Sequence, residues 1–152
     1  MPKIDIASVP EYTGSIYPDE FNALVKGRVR QRLGDAAGLT QFGVNLSRLP
    51  PGVASSLRHW HRHEDEMVFV LEGELVLVED GGETVLKAGE AAAWKADSGN
   101  GHQLINRSGR DAVFLEIGTR SQVEFTTYVD VDLVQERDAQ GRRMLHKSGQ
   151  PY

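Results

Sequence analysis

The sequence predicts an all-β chain, an antiparallel sandwich or barrel, and three observations carry this. Between Gln41 and Ile117 it breaks into short β-type runs, the runs are divided at regular intervals by Gly, Pro, Asp and Asn, and no helical stretch interrupts them. Candidate strands begin near Phe42, Ser55, Glu66, Glu74, Glu83, Ala91, His102 and Asp111. Turns fall at Pro50-Pro51-Gly52, Glu72-Gly73, Asp80-Gly81-Gly82, Lys87-Ala88-Gly89 and Arg107-Ser108-Gly109.

Residues 1 to 40 read as an N-terminal arm. Turn signals stand at Val9-Pro10, Thr13-Gly14 and Tyr17-Pro18, and a weakly helical stretch, Asp19 to Leu33, opens on an aspartate able to cap a short helix. On such a helix Arg28, Arg30 and Arg32 spread around the cylinder, so a solvated surface is expected for them. Residues 41 to 120 form the barrel. In the tail, residues 121 to 152, Val129 to Gln135 and Arg142 to His146 flank Ala139-Gln140-Gly141 as a hairpin that packs on the barrel or on a second subunit.

Composition narrows the function. The 152 residues suit one domain with one sizeable core. Seventeen basic against 22 acidic residues leave a formal charge of −5, without the global footprint of a nucleic-acid binder. With no cysteine there is no disulfide framework, thiol nucleophile, iron–sulfur cluster or cysteine-ligated zinc, so any metal takes N and O ligands. MPKIDIASVP has no apolar signal core, and the longest apolar run, Met67 to Leu71, is too short to span a bilayer; no membrane partner and a cytoplasmic location are expected. That run is apolar on both faces, one for the interior and one for a partner, which predicts a homodimer unless the arm covers it.

Three of the five histidines fall within Arg58-His59-Trp60-His61-Arg62-His63-Glu64-Asp65-Glu66. On a strand His59 and His61 share a face and Trp60 takes the other, so two imidazoles can ligate one metal. If Arg62 to Asp65 form a four-residue hairpin loop, Glu66 opposes His61 on that same face and completes a three-ligand set. His63 shares the parity but would need a two-residue Glu64-Asp65 turn, which lacks the Gly or Asn of tight hairpins; it is placed in the loop near the pocket mouth. His102 follows the small polar loop Asp97 to Gly101, and His146, beside Lys147, is read as a surface residue.

Together these residues resemble the cupin superfamily of small double-stranded β-helix (jelly-roll) barrels, over roughly residues 41 to 120. The first cupin motif is matched by Gly52, His59-Trp60-His61, Glu66 and Gly73, within the family-like text EDEMVFVLEGE; the second is matched by Gly89, His102 and Asn106. The resemblance implies metal ligation by His59, His61, Glu66 and His102, with Asn106 closing a strand end. Two departures affect the pocket rim: one extra residue between Gly52 and His59, and a second motif without its proline, with Lys95 near that place and a loop longer by two. The flanks, Arg32 to Leu39 and Gly149 to Tyr152, are similar to those of small bacterial cupins.

A three-histidine, one-carboxylate set suits one divalent ion per chain, Fe, Mn, Ni or Zn. The expectation is an enzyme acting on a small oxygenated metabolite, leaning by resemblance to a sugar or sugar-phosphate isomerase or epimerase. The alternatives are a non-haem metal dioxygenase and a non-catalytic ligand-binding or sensory cupin. No catalytic residue is assigned; His63 or another pocket carboxylate is the candidate base. Trp94, Lys95 and Gln103 are candidate rim contacts, and Arg110, Arg120, Arg142 and Arg143 are candidate phosphate contacts.

Overall fold

Alternating burial marks the long strands, and nowhere more clearly than in Ala112–Thr119, where Ala112, Phe114 and Glu116 are buried and the residues between them are not. The computed structural model describes residues 3–152. Its elements are β1 (Glu11–Thr13), β2 (Val29–Arg32), one helical turn α1 (Leu33–Ala36), β3 (Phe42–Leu49), β4 (His59–His61), β5 (Glu66–Glu72), β6 (Glu74–Glu79), β7 (Gly82–Lys87), β8 (Ala91–Trp94), β9 (Gln103–Ile105), β10 (Ala112–Thr119), β11 (Glu124–Tyr128), β12 (Leu133–Asp138) and β13 (Gly141–Leu145). No helix among the described residues is long and apolar enough to cross a membrane.

The strands form two layers. One is a six-stranded sheet in the order β1-β2-β3-β10-β5-β8. The other joins the four-stranded β13-β12-β11-β4 to the three-stranded β7-β6-β9, because an isolated antiparallel bridge, His59↔His102, continues β4 toward β9. At one end the layers close on a dry core that includes Leu49, Val70, Leu75 and Phe114, each fully buried. Each such side chain contributes about 1.5–3 kcal/mol. At the other end the inner faces turn polar and enclose a cavity of about 770 Å³.

Most expected strands appear close to their predicted starts, with two corrections. The strand expected near Ser55 begins at His59; Ala54 makes only an isolated bridge to Ile105. The helix expected from Asp19 to Leu33 is absent. Asp19–Phe21 is a single 3-10 turn, and Val29–Arg32 pairs with β3 (Arg30↔Ser47, Arg32↔Asn45). Sheet hydrogen bonds to β3 override a weak local helix preference, and a Cβ at Gly27 would lie 2.8 Å from Val53 Cγ2, so the chain needs glycine to enter the sheet there. The tail hairpin forms as β12 and β13 around Ala139-Gln140-Gly141, and β11 ties it to β4 (Thr126↔His61, Tyr128↔His59).

Asn106 closes the turn after β9. Its amide donates to the carbonyls of Leu49 and Arg110 at 2.7 Å each, and its oxygen accepts from the Ser108 amide at 2.9 Å. Gly73, between β5 and β6, sits at φ +76°, and a Cβ there would lie 2.9 Å from the Asp111 carbonyl oxygen. Gly73→Ala is therefore expected to cost about 2 kcal/mol, from the left-handed backbone and the clash, read as a lower urea midpoint with unchanged slope.

Candidate metal centre

The centre is built across the barrel rather than along one hairpin. His59 and His61 point inward from β4, and Glu66 reaches toward them from β5 in the opposite layer. The Glu66 Oε2 atom lies 3.5 Å from His61 Nε2, 3.8 Å from His59 Nε2 and 3.0 Å from His102 Nε2. The Nε2 atoms of His59 and His61 are 3.1 Å apart. His59, His61 and Glu66 form one group with all donor atoms within 4.8 Å, and His102 joins them through Glu66.

The hairpin expected over Arg62 to Asp65 does not form: β4 pairs with β11, and β5 pairs with β10 and β8. The connecting backbone is drawn away instead. The amides of Arg62 and His63 donate to Glu124 at 2.9 and 3.1 Å, and the Asp65 amide donates to Thr119 Oγ1 at 2.9 Å. His61 and Glu66 still meet, since strand parity turns both inward and the layers bring those inner faces together.

The donors fit a divalent ion. Metal–ligand bonds of about 2.1 Å place donor atoms about 3.0 Å apart at right angles and about 3.4 Å apart in a tetrahedron, close to the spacings found here. Each ring is also oriented from behind. His59 Nδ1 faces the Leu57 carbonyl at 2.9 Å and His102 Nδ1 the Asn100 carbonyl at 3.2 Å, so a ring N–H donated outward leaves the Nε2 lone pair facing in. His61 Nδ1 lies 3.6 Å from Glu124 Oε1 and 3.3 Å from Thr126 Oγ1. Trp94 stacks on His102 with centroids 3.8 Å apart and planes within 4°, while its indole N–H donates to Glu79 at 2.7 Å.

Electrostatics favour a cation in the same place. Burial pushes His59 down to about 3, reinforced by the charge on His61. Burial also works against a charged His61, but the carboxylates of Glu124 and Glu66 outweigh it and raise His61 to about 10. Burial would raise Glu66 as well; its hydrogen bonds with His102 and His61 instead hold it well below the usual carboxylate range. Two carboxylates thus flank one imidazolium and leave one negative charge over, which a divalent ion with neutral imidazoles would neutralise.

Other expected residues divide clearly. His63 lies outside the cavity lining, 3.9 Å from Glu124 Oε2, and His146 pairs with Asp132 at 2.9 Å while stacking on Tyr152. Gln103, Trp94, Arg120 and Arg142 line the cavity; Lys95, Arg110 and Arg143 do not. The solvated-surface expectation is overturned for Arg28 and Arg30, while Arg32 stays exposed at the cavity mouth. On a strand alternate residues share a face, and all three line the cavity.

Sequence reasoning missed Glu124, which is 2% exposed, and Glu116, held by Arg30 at 2.8 Å. It also missed Tyr17 and Tyr128, both in the cavity lining, whose rings meet edge to face at 5.3 Å. The same two-residue periodicity in Glu124-Phe125-Thr126-Thr127-Tyr128 was the available signal. A second acidic group, His61 with Glu64 and Glu124, has Glu64 engaged by Arg137 and by the Ser121 amide. Glu124→Ala strands two backbone N–H groups and the His61 ring; it is expected to destabilise by about 3 kcal/mol, measured by urea unfolding, with Glu124→Gln costing less.

Comparison with known proteins places the fold. The cupin domain family (Cupin_2) matches residues 45–118. A structure from Silicibacter pomeroyi, described as a sugar phosphate isomerase from the cupin superfamily, is 49% identical, covering 99% of this chain and 96% of that one with a TM-score of 0.96. A protein of Acidithiobacillus ferrooxidans with a provisional sugar phosphate isomerase name is 26% identical, covering 80% of this chain and 78% of that one, TM-score 0.75. An oxalate-binding protein of Thermotoga maritima is 36% identical over 70 residues, 46% of this chain and 55% of that protein, so the chain spans about half the length of that relative. With its two-layered β-fold and both histidine motifs on one cavity, the chain belongs to the cupin superfamily.

Proposed function

We propose that this cupin is a metal-dependent enzyme that isomerises or epimerises a small phosphorylated sugar. The observation that carries the reading is the convergence of His59, His61, Glu66 and His102 at the floor of a cavity lined by six arginines. Similarity to the Silicibacter pomeroyi protein over nearly the whole chain supports the substrate class. The four donors would hold one ion of the Fe, Mn, Ni or Zn group, which when bound supplies Lewis acidity toward a hydroxycarbonyl.

The chain's own residues handle orientation and protons. Glu116, 8% exposed and inside the cavity, stands outside the ligand group and is the carboxylate assigned to proton transfer. Arg30 and Asn45 hold it, with Arg30 Nη2 at 2.8 Å and Asn45 Nδ2 at 3.4 Å. Tyr17 and Tyr128 wall the pocket beside His59, whose ring lies 5.7 Å from that of Tyr128. A second reading rests on the Thermotoga maritima oxalate-binding protein: a cupin that chelates a small dicarboxylate without turning it over. The dioxygenase expectation gains no support from the relatives described above.

Element-resolved analysis of untagged protein is expected to find about one divalent ion per chain, lost in Glu66→Ala and His102→Ala. Incubating the metal-loaded protein with aldose phosphates in D₂O is then expected to give deuterium at the carbon beside the carbonyl. Glu116→Gln should slow that exchange by a factor on the order of 100 with metal content unchanged. Bound metal and a melting-temperature rise with oxalate, but no exchange with any sugar phosphate, would select the binding module instead.

We also propose a homodimer through the outer face of the six-stranded sheet. Met67 and Leu71 on β5 are 39% and 41% exposed, beside the half-buried Phe69, Leu115 and Leu46 on the same outer side. Light scattering is expected to report two chain masses, and Leu71→Lys one; a single chain mass for the unmodified protein overturns the dimer.

A further inference from the structure

Six arginines line the cavity, and their partners separate them into two classes. Arg28 donates to the carbonyls of Ser55 and Gly14, and Arg30 is held by Glu116. Arg120 is bound to Asp35 and the Leu39 carbonyl, and Arg137 to Glu64 and the Ser121 carbonyl. Each of these four has at least one terminal guanidinium nitrogen engaged by the protein itself, while the buried Nε atoms of Arg28 and Arg30 have no partner among the described residues. The remaining two, Arg142 and Arg32, are not held in this way.

Arg142 has no hydrogen-bond or ion-pair partner among the described residues, although it faces the cavity opposite Arg137 on the β12–β13 pair. Arg32 has one ionic contact, 4.0 Å to Asp35, a carboxylate already engaged by Arg120. Its guanidinium lies 4.7 Å above the Tyr12 ring, which steadies it without neutralising it. The two belong to opposite layers, Arg32 on β2 and Arg142 on β13, so they stand on facing walls of one cavity. Arg142 stays exposed at the cavity mouth, and partial desolvation together with the charges of Arg137 and Arg32 lowers its pKa, so it sits within the field of Arg32.

The wider lining has the same sign. Six arginines face five carboxylates, Asp35, Glu64, Asp65, Glu66 and Glu116, and a divalent ion on the floor makes the surplus larger. A guanidinium offers a planar fork of N–H donors matched to phosphate oxygens, and two of them on opposing walls suit a dianion held between them.

We propose that Arg142 and Arg32 form an anion subsite that takes the phosphoryl group of a small phosphorylated substrate, whose other end reaches the His59, His61, Glu66 and His102 floor. The assignment rests on the sugar-phosphate reading above and extends it by naming the residues that select the phosphate. Arg28 and Arg30, tied into the wall, shape the pocket; Arg142 and Arg32 hold donors free for a ligand.

Calorimetric titration of the full-length, as-purified protein at low ionic strength tests this with three probes: inorganic phosphate, glucose 6-phosphate and glucose. Glucose 6-phosphate is expected to bind, glucose not to bind, and inorganic phosphate to bind more weakly than the sugar phosphate. Arg142→Gln and Arg32→Gln should each weaken both phosphate probes about tenfold, the loss of one charge-assisted contact. Arg107→Gln, on the outer surface where Arg107 pairs with Glu83, should leave inorganic phosphate binding within about twofold. Because Arg142 and Arg32 come from different strands, either variant reads the subsite if the other fails to fold.

Wild-type affinity in both arginine variants overturns the subsite, as does loss of phosphate binding in Glu66→Ala alone, which would place the anion on the metal floor. Equal affinity for phosphate and glucose 6-phosphate overturns the substrate assignment. The underlying isomerase reading fails separately: phosphate binding that depends on Arg142 without deuterium exchange removes the reaction and leaves the subsite. Exchange with an unchanged KM in Arg142→Gln does the reverse.

Discussion

The Glu66 carboxylate is the constraint around which the polar end of the barrel is organised. It hangs from β5, flanked by β10 and β8, with 22% of its side chain exposed, and a buried negative charge must be met by hydrogen bonds or positive charge. Both layers supply them. His61 comes from β4 and His102 from the residue preceding β9, and the His59↔His102 bridge that joins the smaller sheets holds the imidazoles on one wall. The contact therefore does two things at once: it links the layers where no dry core can, and it aims three ring nitrogens at one point.

The two ends of the barrel follow from this division. Where Leu49, Val70, Leu75 and Phe114 meet, the inner faces exclude water and supply much of the stability. Where Glu66, Glu116, Glu124 and the arginines meet, each buried carboxylate is matched by a named partner, and the space between stays open. Glu124 shows how closely the two are coupled. It takes the amides of Arg62 and His63, which turns the chain out of β4, and it stands behind His61, which orients the ring. Folding and site geometry share that one side chain.

Strand periodicity makes much of this legible in the sequence, and the pairing of distant strands decides the rest. His59 and His61 share a face because they are two residues apart on a strand, and β4 places them so. The pairing of His61 with Glu66 was foreseen from a hairpin that does not exist; the meeting occurs between layers, because inward parity is a property of each strand and does not depend on which strands are neighbours. Register between distant strands is a tertiary quantity, fixed by burial of whole faces, so β11 beside β4 had no local signature. The solvated-surface expectation fails for Arg28 and Arg30 for the complementary reason. Read at helical period Arg28, Arg30 and Arg32 scatter; read at strand period they form one row, and it was the pairing of β2 with β3 that chose the period.

That row changes what the cavity is. With a solvated arm, the site would be a metal-binding floor open to water on one side. With β2 in the sheet, the arm contributes an inward cationic wall opposite the one formed by Arg137 and Arg142 on the tail strands. The residues flanking the histidine motifs thus complete the pocket, and its lining runs from a floor of carboxylate and imidazole to walls that carry the arginines. A neutral sugar gains nothing from such a gradient. A molecule with hydroxyl and carbonyl oxygens at one end and a phosphate at the other is oriented by it before any single contact forms, because only one of its two placements satisfies both ends.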